Sequence, residues 1–348
     1  MRCDAVFRLG STTKLLSSVA ALMMLDQGLL EDLDAPVSSY LPHFNPQVLA
    51  SPHLPRDSWQ LTQPDRPVTL RDLMRHTSGL QYSFGLNELD RCYAEMGFLR
   101  WDRSLAEFVE TIGQLPLAFH PGSQVCYGYG FDVLGRVMEV ASGQSLDELM
   151  ADMLTRPLGM RDTAFSVSPE NESRIASHYE RVGGELVPGE SSAPYLQPPR
   201  GLSAGGGWLT GYGGMVSTIA DLGRLLSMLL GGGVFQDQRF LSERSIEEIF
   251  RDQTVSVPVG AGCRFPLGLD VLGRGFGLGA AVDASRGGGL LHWGGAPYNT
   301  SFVISRSLGV YGLLLAQTGP FEGELAPNGM KASFRQAVID AVMPPIQR

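Results

Sequence analysis

The sequence predicts an α/β (α+β) fold, with helices dominating the first two-thirds of the chain and strands gathering near the end. Three observations lead there. Apolar residues recur at helical spacing in several separate segments before residue 230. Short apolar runs alternate with glycine after about residue 265, and a last helical pattern closes the chain. No segment repeats another, and 348 residues suffice for one large domain or two interlocked ones.

Taken in order, Ser11 to Gly28 reads as a helix. Leu15, Val19, Leu22 and Met23, with Leu29 just beyond, recur at its spacing, and Gly28 supplies a stop. Asp32 to Leu70 is rich in proline and polar residues and reads as an extended surface excursion. Leu70 to Met74 opens a short helix that His76-Thr77-Ser78-Gly79 ends. Residues 102–113, residues 132–142 and the run from Ser145 through Leu154 are further helices, several preceded by a Ser or Asp suited to capping. Pro188 to Gly214 breaks regularity; Val216 to Leu230 and Arg244 to Phe250 then read as helices. Phe302 to Ser305 and Val310 to Gln317 read as strands joined by a turn at Arg306 to Gly309, before a closing helix from Met330 to Met343. The loops Gln81 to Trp101 and Glu185 to Leu202 are expected to shape a pocket.

Composition narrows the function classes. The chain is 43% hydrophobic and 18% charged, ordinary for a soluble globular enzyme. Its 27 basic and 36 acidic residues give a net charge of -9 and no basic stripe, which excludes nucleic acid as a partner. Cys3, Cys92, Cys126 and Cys263 form no CxxC pair and are expected as four free thiols in a reducing compartment. The six histidines are dispersed without an HExxH, so no metal is expected. Leu15 to Leu30 is too short to span a membrane and is interrupted by Ser17, Ser18, Asp26 and Gln27. It also lacks the layout of a signal peptide, so no membrane association and a cytoplasmic location are expected.

Ser11-Thr12-Thr13-Lys14 is the first candidate for chemistry. Residues three apart share a helix face, so the Lys14 amine can approach the Ser11 hydroxyl. A serine hydroxyl is a weak nucleophile until a base takes its proton, and an amine in a desolvated cleft can have its pKa lowered enough to serve. Ser11 would also occupy a first helical turn, whose unpaired backbone N–H groups favour a developing anion. The tetrapeptide alone fits equally a capping serine beside a solvated lysine.

Its context resembles the serine β-lactamase-like and penicillin-binding-protein-like superfamily. The resemblance starts with Phe7 to Lys14, then Gly28 to Val37 and Tyr40-Leu41-Pro42, and continues in Leu70 to Leu80. It resumes at Phe119-His120-Pro121-Gly122, Tyr127 and Asp132-Val133-Leu134-Gly135. Pro157 to Met160, Gly211 to Leu222 and His292-Trp293-Gly294-Gly295 complete it. These landmarks keep the family's order over most of the chain, and the branch they look most like is the family VIII carboxylesterases.

The resemblance implies an antiparallel sheet flanked by helices, built from residues 1–64 and 206–348, a mostly helical region over 65–205, and an active cleft between them. It implies Ser11 as nucleophile, with Lys14 and Tyr127 managing its proton, and an oxyanion hole made by the backbone N–H groups of Ser11 and Ala296. Tyr129 stands where the amide-cleaving branches carry asparagine, and Trp293-Gly294-Gly295 stands where they carry Lys-Thr-Gly. Tyr129, Trp293, Gly294 and Gly295 are therefore the expected substrate-binding positions, suited to an acyl or alkoxy group without a carboxylate. His292 is expected to be structural. No cofactor is implied.

The expected activity is hydrolysis of a small-molecule carboxylic ester through an acyl-enzyme. Three alternatives stand beside it: an acyltransferase, in which an alcohol replaces water; a β-lactamase or D-amino-acid peptidase; and a non-catalytic binding protein of the same fold. Family members place a helix and early sheet strands before the serine motif, whereas ten residues precede Ser11 here. An uncovered sheet edge is the expected consequence, met by a partner or oligomer or by poor stability.

Overall fold

The computed structural model describes residues 2–50, 55–82, 87–95, 104–182, 185–189, 214–259, 275–283, 289–295, 298–318 and 329–342. Its helices are α1 (Thr13–Asp26), α2 (Leu70–Met74), α3 (Glu88–Glu95), α4 (Leu105–Ile112), α5 (Gly130–Ser142), α6 (Leu146–Met150), α7 (Ile219–Leu230), α8 (Glu243–Phe250) and α9 (Met330–Asp340). Strands β1 (Phe7–Arg8), β2 (Val48–Leu49), β3 (Leu61–Thr62), β4 (Tyr179–Val182) and β5 (Glu185–Pro188) precede β6 (Val216–Ser217), β7 (Val234–Phe235) and β8 (Gln238–Arg239). The last four, β9 (Ala281–Asp283), β10 (Leu290–Gly295), β11 (Thr300–Ser305) and β12 (Val310–Leu314), form an antiparallel sheet in the order β12-β11-β10-β9. The other strands pair two by two, β1 with β6 among them, and the described sheets close no barrel. The expected mixed architecture of antiparallel sheet and flanking helices is what forms.

Helix α1 is central. Every residue from Thr13 to Met24 is buried, including Lys14, Ser17 and Ser18, so the stripe read from the sequence underestimates its burial. Its Leu15, Leu16, Val19 and Leu22 share one core with Val133, Leu134, Val137 and Met138 of α5. Each such side chain contributes roughly 1.5–3 kcal/mol on leaving water, so the serine motif begins an element the whole molecule holds still. Hydroxyl caps place the helix starts: Thr69 accepts from the Asp72 N–H at α2, Ser104 from Glu107 at α4, Thr218 from Asp221 at α7 and Ser242 from Ser245 at α8.

Four expectations change. The loop from Gln81 to Trp101 contains α3, started by the Asn87 side chain accepting from the Asp90 N–H at 2.9 Å and burying Leu89, Cys92 and Tyr93. The helix expected from Val216 begins at Ile219, because Val216 and Ser217 instead pair with Arg8 and Phe7. The stretch from Asp32 to Leu70 is not merely a surface excursion, since Val37, Phe44, Val48, Leu49 and Val68 lie in the core and β2 pairs with β3. The four free thiols become two: Cys3 and Cys92 are free, whereas Cys126 is disulfide-bonded, and Cys263 lies outside the described residues. Pairing is a tertiary property that spacing does not report. No helix among the described residues is long and apolar enough to cross a membrane.

Candidate active site

Ser11 lies in a single 3-10 turn, Gly10–Thr12, that leads directly into α1. Backbone bonds fix that turn from one side: the Leu9 N–H donates to the Met215 carbonyl at 2.9 Å, and the Thr13 hydroxyl accepts from the Met215 N–H at 3.3 Å. From the other side β10 closes in. A Cβ added to Gly295 would lie 1.9 Å from the Leu9 carbonyl oxygen, so only glycine permits this approach of two backbones. Ser11 keeps partial exposure while the residues around it are buried.

The Lys14 Nζ donates to the Ser11 Oγ at 3.2 Å, as the spacing of three predicts. Lys14 is completely buried, and that burial drives its pKa well below the ordinary lysine value of 10.5; the nearby Asp132 carboxyl pulls the other way. Aromatic faces surround the amine, with the ring centres of Tyr127, Phe131 and Tyr82 at 4.7, 5.8 and 5.9 Å. Ring faces attract a cation, but loss of water outweighs them here.

Tyr127 reaches the same spot from the segment before α5. Burial pushes its phenol pKa up, while Ser11 and Trp293, both close to the hydroxyl, hold it partly down. At neutral pH it is therefore the protonated phenol. The tight passage of its chain depends on Gly128, where a Cβ would meet the Leu80 carbonyl oxygen at 2.3 Å. Trp293, on β10, is almost fully buried and sets its ring 5.6 Å from Tyr127 and 5.2 Å from Phe276.

The structure thus brings Ser11, Lys14, Tyr127, Trp293 and Gly295 together. Gly294 and Gly295 end β10, paired with Ser301 and Thr300. Tyr129 lies deeper: its ring packs on Tyr82, Tyr93 and Phe108 at 4.6, 5.7 and 5.4 Å, inside an aromatic cluster. Ala296 lies outside the described residues, as do residues 190–202 of the second pocket loop.

Two further residues at the site carried no assigned role in the sequence. Asp132, on the first turn of α5, is fully buried, and neither carboxyl oxygen has a side-chain hydrogen-bond partner among the described residues. Burial raises its pKa well above the ordinary value of 3.8, against the pull of Lys14. His76 is also buried, 4.4 Å ring to ring from Tyr127, with neither ring nitrogen bonded among the described residues. Its burial, with Lys14 nearby, keeps it neutral. The only sequence signal for either was membership of a motif.

An amine poised on a serine hydroxyl, a neutral phenol beside both, and a backbone turn at a helix start together suit proton transfer coupled to nucleophilic attack on a carbonyl. Such an arrangement, between a small antiparallel sheet and helices, defines the serine β-lactamase-like class. The family model described as Beta-lactamase matches residues 1–332, and the chain belongs to that family. Among curated relatives, Esterase EstB of Burkholderia gladioli is 34% identical over 98% of this chain and 83% of its own length. The monacolin J acid methylbutanoyltransferase of Aspergillus terreus is 28% identical over 97% of this chain and 83% of its own. The solved structure of EstCE1, described as a hydrolase with promiscuous acyltransferase activity, superposes with a TM-score of 0.74 at 25% identity, covering 98% of this chain and 86% of that one. The fold is that of the serine hydrolases related to family VIII esterases and penicillin-binding proteins.

Proposed function

We propose that this protein takes acyl groups from small carboxylic esters onto Ser11 and passes them to an alcohol or to water. The observation that carries the reading is the 3.2 Å contact of the Lys14 amine with the Ser11 hydroxyl, in surroundings that favour the neutral amine. Ser11 Oγ attacks the ester carbonyl and its proton moves to Lys14 Nζ. The tetrahedral oxygen is held by backbone N–H groups, those of Ser11 and Ala296. As the carbon–oxygen bond breaks, Tyr127 delivers its phenolic proton to the departing alkoxide and recovers one from Lys14. An acceptor hydroxyl then repeats the sequence in reverse and frees Ser11.

Carboxylesterase and acyltransferase chemistry share acylation and differ in the acceptor. The relatives named an esterase and an acyltransferase support both outcomes of one site. The buried aromatic side chains of Tyr127 and Trp293 set apolar surface beside the partly exposed Ser11, which suits an alcohol with an apolar body. β-Lactam or peptide cleavage is less suited, because position 129 offers a ring within an aromatic cluster and position 293 an indole rather than a cation.

The test is to incubate the protein with p-nitrophenyl butyrate, with and without butanol, beside its Ser11→Ala variant. Butyl butyrate and butyrate are both expected from the parent and neither from the variant. Equal p-nitrophenol release by the two would sink the reading. Butyrate alone, even with butanol present, would reduce it to hydrolysis.

A further inference from the structure

Thr300, the first residue of β11, is fully buried beside the site, and its hydroxyl uses its whole bonding capacity. It donates to the Leu9 carbonyl oxygen at 2.8 Å. It accepts from the Gly295 N–H at 3.1 Å, and its 3.1 Å contact with the Thr12 hydroxyl, the donor proton being already committed, makes Thr12 the second donor. One side-chain oxygen therefore ties the residues on either side of the Gly10-Ser11 pair to the end of β10. The preceding residue, Asn299, sits in the left-handed region at φ 56 and donates to the Thr318 hydroxyl at 3.2 Å, which fixes how Thr300 enters the strand. The Gly295 carbonyl is held as well, 3.4 Å from the Lys331 amine of α9.

We propose that Thr300 is a positioning residue for catalysis: it sets the spacing between the turn carrying the Ser11 N–H and the end of β10, the two backbone segments that must converge on the oxyanion. This inference rests on the acyl-transfer reading above. Apolar packing alone cannot fix two facing backbones to a few tenths of an ångström, whereas three directional bonds to one atom can. Small displacements of oxyanion donors are felt in the transition state more than in substrate binding.

The experiment compares the parent, Thr300→Val, Thr300→Ser and Ser11→Ala for p-nitrophenyl butyrate turnover, butylboronic acid inhibition and thermal midpoint. Thr300→Val, nearly isosteric, is expected to lower kcat about 10- to 100-fold with KM little changed, and to weaken butylboronic acid, whose Ser11 adduct is tetrahedral, by a similar factor. Thr300→Ser, which keeps the hydroxyl, is expected to recover most of both. Should Thr300→Val not fold, Thr12→Val, which removes one of the three bonds, is expected to give a smaller fall in kcat at constant KM. A lowered midpoint with parental kcat and boronate affinity, in Thr300→Val or in Thr12→Val, would overturn the positioning role alone. A parent no faster than Ser11→Ala would overturn the acyl-transfer reading and this role together.

Discussion

Asp72 and Asp132 are both completely buried, and α2 and α5, which carry them, share one core. Their pKa values nevertheless move in opposite directions. Burial pushes Asp72 up, but hydrogen bonds from Arg66 and Thr77 outweigh it, and Arg75 adds its charge; the result is a carboxylate below the ordinary range. Asp132 has no such donors among the described residues and rises well above that range. The first aspartate is a finished joint: it caps α2, receiving the Thr69 hydroxyl and backbone N–H. The second, near Lys14, is held toward its protonated form by burial, against the pull of that amine. Satisfied buried charge builds the scaffold, and under-satisfied buried charge marks a candidate site for chemistry.

That contrast breaks most visibly at Lys14. Lys14→Met should lower kcat/KM for p-nitrophenyl butyrate by about 10³-fold while leaving the thermal midpoint equal or higher, because an apolar chain of similar shape removes a desolvated amine. A variant that loses activity only in proportion to lost folded protein would contradict it. Tyr127→Phe should cost about 10²-fold in kcat and little stability, read from steady-state kinetics and a melting curve. The reverse pattern belongs to Asp72: Asp72→Asn should destabilise by roughly 3 kcal/mol, somewhat less where Arg66 is solvated, with kcat of the folded fraction near parental in urea-checked samples.

The smallest effect sharpens the comparison most. With the Lys14 pKa depressed by burial, the neutral amine gains population as pH rises, so kcat/KM should climb and level off below 10.5. Asp132 holds the Lys14 pKa up, so Asp132→Asn should move the rising limb to lower pH. A limb that stays in place, or moves upward, would mean that Asp132 does not hold the Lys14 pKa up. Since the two groups titrate as a pair, the limb reports their joint proton affinity rather than either alone.

The pairing of Ser11 with Lys14 was legible because it is local: helical spacing alone brings them together. Tyr127 and Trp293 were legible only through motifs kept in order along the chain, since nothing in their own neighbourhoods distinguishes them from core aromatics. Thr300 left no trace, because its bond to Leu9 spans 291 positions and a strand-starting threonine has no local peculiarity. Asp132 was visible as a landmark without a role, for its pKa depends on what surrounds it in three dimensions. Helix α3 hid behind an asparagine cap in a stretch otherwise read as loop, and the β1–β6 pair was too short to announce itself in either segment. Helices with serine or threonine caps, such as α4 and α8, were the easiest to place, since both cap and apolar period are local.

The central claim is that Ser11 carries the acyl group, and it is tested most directly by intact-protein mass spectrometry of samples acid-quenched during p-nitrophenyl butyrate turnover, followed by peptide mapping. The account predicts one added butyryl group per chain, located on Ser11 and missing from Ser11→Ala. A parent that turns over the ester with no adduct on Ser11, or with the same adduct and rate in Ser11→Ala, would contradict it.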